Sequence, residues 1–344
     1  MILIAYGTRP EIIKLFPVIR ELQKQNVPYK TLFTGQHYEL FDDFKDIIDT
    51  PDFIIEHLTK GRNLNELTAH IIKEADPILA KNDITNVVVQ GDTTSALALA
   101  LTAFNRSIKV SHVEAGLRTY DKTSPFPEEM NRQAISRIAT YHFCPTVNCY
   151  NALVKEGIKN NVHITGNTVI DACKSYNFEI KYDKKILITL HRRENVDTFN
   201  KLFTEINNIA SEYTEYEFIF PIHPNPNVQK HKNLLTSSNI KVIKPLGYYD
   251  MLKTIAECMF VISDSGGIQE EVTAFKKGVI VCRNTTERPE TIDAGFGVLL
   301  GDRNLKDIFD EMIINPDDYI NYVNKLLPVY GDGRASEKIV NIIK

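Results

Sequence analysis

The 344 residues carry 43% hydrophobic and 24% charged side chains and a formal net charge of −4. That is an ordinary soluble, globular composition. No block of like charges marks a surface for nucleic acid or an anionic membrane, and no window approaches the roughly 18 apolar residues of a membrane span. The length exceeds what one ordinary core supports and predicts two domains of about 150 to 200 residues. Five cysteines (Cys144, Cys149, Cys173, Cys258, Cys282) are an odd number without CxxC spacing. They read as reduced thiols of a cytosolic protein.

The first residues, MILIAYGTRPE, put a short apolar run ahead of Gly7 with no basic segment before it. This is a strand, not a signal peptide, and a cytoplasmic location is expected. Further strands are predicted at 29–34, 86–90 and 108–113, with helical patterns at about 10–25, 39–48, 93–105 and 127–140. The second half repeats the scheme with strands at 186–190, 217–222, 240–244, 259–263 and 278–282. Strands that are apolar throughout suit parallel sheets covered on both faces. Strand–helix alternation in two series therefore predicts two doubly wound, Rossmann-like α/β domains. The division is placed at 1–167 and 168–344, near HITGNTVID. The YGDG break at 330–333 precedes a last amphipathic helix from about 334 to 344, which is then free to return to the first domain.

Ligands of open α/β sheets bind outside the carboxyl ends of the strands, so the residues just after each strand matter most. GTRPEIIK follows the first strand with Gly7, the cation Arg9 and Pro10, which suits a first helical turn. GDTTS places Asp92 after the strand at 86–90; on its own Asp92 would serve as a helix N-cap. HVEAGLR places Glu114 and Arg118, HRREN places His191, Arg192 and Arg193, and HPNPN places His223. Each alone could be a solvated loop residue. Together they are charges at strand ends that need a ligand or each other. In SPFPEEMNR, Pro127 suits a helix start, and Glu128 and Arg132 lie four apart on one helical face, where they can interact. Successive helical residues turn by about 100°, so Glu129 must look elsewhere than Glu128.

DSGGIQEE gives the clearest mechanical reading. Ser265, Gly266 and Gly267 open a helix whose free amides and positive dipole end suit an anion. The glycines let a phosphate approach, and Glu271 is set to accept from sugar hydroxyls. The alternative is a plain glycine-started helix. No P-loop, GxGxxG, HExxH or CxxC pair is present, and no D-x-D tripeptide offers a metal for a diphosphate. No metal or cofactor is expected. Arg9, His191 and the Ser265–Gly267 amides are left to neutralise such a group.

In this order GTRPEIIK, GDTT, HVEAGLR, SPFPEEMNR, HITGNTVIDA, HRREN, HPNPN, DSGGIQEE and TTERPE resemble the non-hydrolysing UDP-N-acetylglucosamine 2-epimerases over nearly the whole chain. The resemblance implies a glycosyltransferase-B-like fold with the active site in the interdomain cleft, and usually a homodimer. It implies interconversion of UDP-GlcNAc and UDP-ManNAc by anti elimination of UDP to 2-acetamidoglucal, followed by re-addition. Asp92, Glu114 and Glu128 match the catalytic carboxylates, and His191 a catalytic or diphosphate-binding histidine. Arg9 and Lys14 match active-site positions, Ser265, Gly266 and Gly267 the diphosphate cradle, and Glu271 the ribose ligand. Met251 matches a uracil contact where relatives can carry Phe. Bacterial members bind a second UDP-GlcNAc as an activator; the matching positions are Gln36, Arg62, Glu129, Arg192 and His223, with Glu39 where relatives can carry Gln. The implied partners are these nucleotide sugars, with no nucleic acid and no membrane. Three rival readings are a 2-epimerase of a UDP-2,3-diacetamido uronic acid, a UDP-sugar glycosyltransferase of the same fold, and a non-catalytic nucleotide-sugar sensor.

Overall fold

The computed structural model describes residues 1–35, 47–56, 63–192 and 195–344. The chain forms two compact units, one of Met1–Ser175 with Tyr330–Lys344, the other of Tyr176–Val329.

In the first unit seven parallel strands are β1 (Ile2–Tyr6), β2 (Tyr29–Phe33), β3 (Phe53–Ile54), β4 (Asn86–Gln90), β5 (Lys109–Val113), β6 (Tyr141–Cys144) and β7 (Val162–Ile164). They are ordered β3-β2-β1-β4-β5-β6-β7. Helices α1 (Arg9–Lys24), α2 (Leu64–Lys81), α3 (Thr94–Asn105), α4 (Glu128–Ile138), α5 (Val147–Lys155) and α6 (Thr168–Lys174) connect them. Every residue of β1 and β4 is buried, as a strand covered on both faces requires. Leu3, Leu32, Val87 and Val89 share one core with Ile71 of α2 and Leu99 of α3.

The second unit has six parallel strands: β8 (Lys185–Thr189), β9 (Glu217–Pro221), β10 (Ile240–Ile243), β11 (Phe260–Ser263), β12 (Gly278–Val281) and β13 (Gly297–Leu299). Their order is β10-β9-β8-β11-β12-β13. The helices are α7 (Phe199–Glu212), α8 (Pro226–Gln229), α9 (Tyr248–Glu257), α10 (Gly266–Ala274), α11 (Pro289–Asp293), α12 (Leu305–Ile313) and α13 (Pro316–Lys325). Its core is aromatic, with Phe203, Phe218, Phe220, Phe260 and Phe309 packed beside Ile186 and Ile188. Both units are the doubly wound α/β domains expected from the strand–helix alternation.

Several details differ from the sequence expectation. Helix α2 went unpredicted because its buried face is the single stripe Ile71, Ala75 and Leu79, and Pro77 lies inside it. Strands β3, β6, β7 and β13 are two to four residues long, too short for a periodicity. Strand β10, expected to be buried, is an edge strand whose residues alternate between half-buried and exposed. The helical pattern at 39–48 lies mostly outside the described residues.

The unit boundary falls after Ser175, not after residue 167, because α6 packs on α1. Helix α14 (Ala335–Ile343) packs on α1 and α6. The half-buried Asp171 carboxylate of α6 accepts its first amides, Ala335 N at 3.2 Å and Ser336 N at 2.8 Å. Burial raises the Asp171 carboxyl above its ordinary range. Gly331, at φ +103°, lets the returning chain touch Gly166, where an added Cβ would stand 3.0 Å from the Tyr330 carbonyl.

Candidate functional site

In each sheet the strand order reverses once, between β1 and β4 and between β8 and β11. A crevice opens at the carboxyl ends of strands at such a switch point. The loops that flank the first are GTRPE and GDTT; those that flank the second are HRREN and DSGG. The strand-end clusters are therefore positioned by topology and not by chance exposure.

At the end of β1, Thr8 caps α1 and Pro10 occupies its first turn. The N3 residue Glu11 reaches back, its Oε2 accepting Gly7 N at 2.9 Å and Thr8 N at 2.7 Å. Its other oxygen accepts the Thr93 hydroxyl at 2.7 Å, so Glu11 ties the turn that carries Arg9 to the turn that carries Asp92. Glu11 is 1% exposed; burial raises its carboxyl although hydrogen bonds from Thr93, Gly7 and Thr8 oppose the shift. The T-x-x-E capping signature was present in the sequence, but its link to Thr93 was not.

Asp92 is not an N-cap. Thr93 caps α3, its hydroxyl accepting Ala96 N at 3.0 Å. Asp92 instead accepts from Arg132 of α4, from Nε at 2.9 Å and also from Nη2. Its carbonyl accepts Asn131 Nδ2 at 2.8 Å. The preceding Gly91 carbonyl lies 2.7 Å from His112 Nε2. Three neighbours thus fix the loop at the Asp92 end of the crevice.

Arg132 does not pair with Glu128, which was the expectation from their spacing. Its Nη1 donates to Glu129 at 3.3 Å, because the Glu129 carboxylate is already fixed by Thr119 N (2.9 Å), Tyr120 N (3.1 Å) and Gln133 Nε2 (2.7 Å). Glu129 is 0% exposed. Glu128 opens α4 behind Pro127, and its Oε2 is buried without a hydrogen-bond partner. Adjacent glutamates do occupy two environments, one saturated and one open.

Glu114 follows β5 in the left-handed region at φ +66°, a conformation that costs a non-glycine residue about 1–3 kcal/mol. Its carboxylate accepts Lys14 Nζ from α1 and lies 3.4 Å from Asn167 Nδ2. Arg118 is turned away from this group: it holds Glu156 with two nitrogens at 2.6 and 3.1 Å and Ser136 at 3.0 Å.

In the second unit, Ser265 caps α10 and Gly266 begins it. A Cβ on Gly266 would meet Arg288 Nη1 at 2.6 Å, whereas one on Gly267 would meet nothing within 4 Å. The two glycines therefore serve different ends: the first admits Arg288, and the second leaves the helix start open to a ligand. Arg288 also donates to Glu270 at 2.7 Å and to Glu287 at 2.5 Å. Burial would raise the Glu287 carboxyl, but Arg288 and Arg283 bring it down to about 2. Glu271 is buried in α10, and Met251 is half-buried in α9.

The buried Asp264 was not singled out in the sequence. It accepts His191 N, Arg192 N and Asn195 Nδ2, all at 2.9–3.0 Å, and its Oδ1 lies 3.3 Å from His191 Nδ1. Burial pushes the His191 imidazole down, and Asp264 opposes this. The His191 and His223 rings stack at 5.4 Å. Arg192 Nε is buried without a partner. Gln36, Glu39, Arg62 and Arg193 lie outside the described residues.

Two Rossmann-like parallel-sheet domains, acidic side chains at the strand ends of the first and a glycine-led helix in the second define a glycosyltransferase-B-like α/β protein. The family model described as UDP-N-acetylglucosamine 2-epimerase matches residues 20–344. A UDP-N-acetylglucosamine 2-epimerase of Campylobacter jejuni is 40% identical, over 99% of this chain and 97% of its own. The crystal structure of UDP-GlcNAc 2-epimerase from Neisseria meningitidis bound to UDP-GlcNAc matches at a TM-score of 0.91 and 37% identity, covering 99% of both chains. That of Methanocaldococcus jannaschii UDP-GlcNAc 2-epimerase in complex with UDP-GlcNAc and UDP matches at 0.83 and 34%, again over 99% of both. The chain belongs to the UDP-N-acetylglucosamine 2-epimerase family. Among the described residues no helix is long and apolar enough to cross a membrane.

Proposed function

We propose that this protein interconverts UDP-GlcNAc and UDP-ManNAc by inverting C2. Family membership supports the substrate. The observation that carries the chemistry is the trio of differently partnered carboxylates: Asp92 on Arg132, Glu114 on Lys14, and Glu128 with a buried oxygen left open. One carboxylate takes the C2 proton as the C1–O bond breaks, and its electron pair becomes the C1–C2 double bond of 2-acetamidoglucal. UDP leaves with the bond electrons. Re-addition returns UDP to C1 while a second acid delivers a proton to the opposite face of C2. Proton transfer of this kind needs a base and an acid held in place, and the departing diphosphate needs its charge met. Arg9 and the amides of Ser265, Gly266 and Gly267 meet that charge, His191 serves as a catalytic imidazole, Glu271 takes the ribose, and Met251 packs on uracil. Lys14 orients Glu114.

In this reading the enzyme acts in the cytoplasm as a homodimer and is activated by a second UDP-GlcNAc at Gln36, Glu39, Arg62, Glu129, Arg192 and His223. The unpartnered Arg192 Nε supports an anion there. The saturated Glu129 would have to give up a donor to take part. Reverse-direction initial rates test the activation: full UDP-ManNAc turnover without added UDP-GlcNAc would remove it, and light scattering gives the dimer mass.

The function itself is tested by incubating the protein with UDP-GlcNAc alone and following products by NMR. UDP-ManNAc is expected at equilibrium with substrate. Free ManNAc with UDP would instead indicate hydrolysing chemistry. No conversion would leave the transferase, the non-catalytic sensor or the uronic-acid substrate.

A further inference from the structure

Asp264 carries a carboxylate at 0% exposure, and its two oxygens are used differently. Oδ2 accepts His191 N (3.0 Å), Arg192 N (2.9 Å) and Asn195 Nδ2 (3.0 Å). Oδ1 also accepts His191 N at 3.0 Å and is the oxygen 3.3 Å from His191 Nδ1. A buried carboxylate is tolerated only when donors surround it, and here all of those donors come from the HRREN loop itself. The acceptor-only Oδ1 can be matched by His191 Nδ1 only if that nitrogen carries the proton.

We propose that Asp264 is the positioning residue of His191: it fixes the loop through Oδ2 and holds the ring in the Nδ1–H tautomer through Oδ1, leaving Nε2 as the lone-pair nitrogen offered to the substrate. The division of labour is that of a carboxylate behind a working imidazole. Its catalytic consequence rests on the epimerase reading; its geometry does not. Among the described residues the groups facing the ring are Asp264, Arg192 and His223, and neither of the latter two supplies an acceptor of this kind.

Asp264→Asn separates orientation from packing. The three donors at Oδ2 select the carboxamide oxygen for that side, which turns the amide NH2 toward His191 Nδ1. The ring must then accept at Nδ1 and carry its proton on Nε2. Imidazole ¹⁵N NMR of the intact protein labelled at histidine, with the His191 signals assigned by their loss in His191→Asn, reads this directly. Wild type is expected as the Nδ1–H tautomer and Asp264→Asn as the Nε2–H tautomer. In the variant kcat should fall by about 10³–10⁴, the order seen when a triad carboxylate becomes an amide, with UDP affinity kept. The acid limb of its pH profile should move to lower pH, because the carboxylate that favours the imidazolium is gone. An Nε2–H tautomer in wild type overturns the proposal and needs no folded variant. So does an Asp264→Asn protein that loses thermal stability but keeps the wild-type tautomer and pH profile. If no epimerisation is found while the tautomer switches, the positioning role stands and the assigned reaction fails.

Discussion

Arg132 holds two carboxylates at once: its Nε and Nη2 donate to Asp92, forty residues earlier in the chain, and its Nη1 donates to Glu129 on its own helix. The guanidinium fork permits this, since planar donors on two edges serve two acceptors. Glu129, saturated by backbone amides, anchors the arginine, and the arginine aims Asp92. In the proposed reaction the EE pair is a working position followed by the anchor of Arg132.

That arrangement predicts unequal variants at Arg132. Arg132→Leu leaves the buried Glu129 without its cation and should cost about 3–5 kcal/mol of stability, less if its three remaining donors compensate. Arg132→Lys keeps the charge but cannot fork, so it should retain most stability while losing turnover. Urea unfolding and initial rates on both variants check this. Equal activity in Arg132→Lys and wild type would mean that Asp92 needs no aiming.

Glu114→Gln and Glu128→Gln should each lower kcat by about 10²–10⁴, the range of general acid–base contributions. UDP binding by calorimetry should be unchanged, because neither residue is assigned to the diphosphate. Near-normal turnover in either variant would withdraw its role.

The two glycines of the DSGG turn should respond differently. Gly266→Ala pushes its Cβ into Arg288 and should cost about 1–3 kcal/mol as an overpacked site, seen in urea unfolding. Gly267→Ala meets nothing within 4 Å, so the melting temperature should hold while UDP affinity falls. Retained UDP affinity in Gly267→Ala would mean that the ligand does not approach the helix start at that point.

Acid sensitivity is built into the first sheet. His112 and His142 are register partners on β5 and β6, and each has a buried Nδ1 with no partner. Burial is the largest cause that brings them to about 3 and about 4; Arg118 acts in the same direction on both, with His142 and Arg132 on His112 and His163 on His142, while hydrogen bonds to the Gly91 and Ala139 backbone oppose the shift. The unfolded chain takes up these protons near the ordinary value of 6.5, so it binds more protons than the folded protein below that pH. Stability is therefore full above about pH 7 and falls as pH drops through 6.5 towards 4. Between pH 7.5 and 5.5 the loss should be about 1 kcal/mol per histidine. Urea midpoints of wild type and the His112→Gln/His142→Gln variant at both pH values check it; equal losses in the two proteins would rule the pair out.

The strand ends were legible in the sequence because a β-branched run followed by a polar turn signals itself locally. Asp92, Glu114, His191 and Ser265 were all found this way. What the sequence hid were pairings. Lys14 meets Glu114 across one hundred positions, and Asp264 meets the His191 loop across more than seventy, so each needs the parallel strand order before it can be seen. The Glu128–Arg132 expectation failed for a related reason. Helical spacing offered Arg132 both neighbours, and the choice was made by the Thr119 and Tyr120 amides and by Asp92, all outside the helix. Helix α2 was missed because three buried residues around an internal proline make a weak amphipathic signal.

The central claim is that C2 loses and regains a proton during turnover. Incubation with UDP-GlcNAc in deuterated water, without any acceptor, followed by mass spectrometry and ¹H NMR of the recovered nucleotide sugars, tests it most directly. One deuterium at C2 in both UDP-GlcNAc and UDP-ManNAc is the expected result. Formation of UDP-ManNAc with its C2 hydrogen retained would contradict the account.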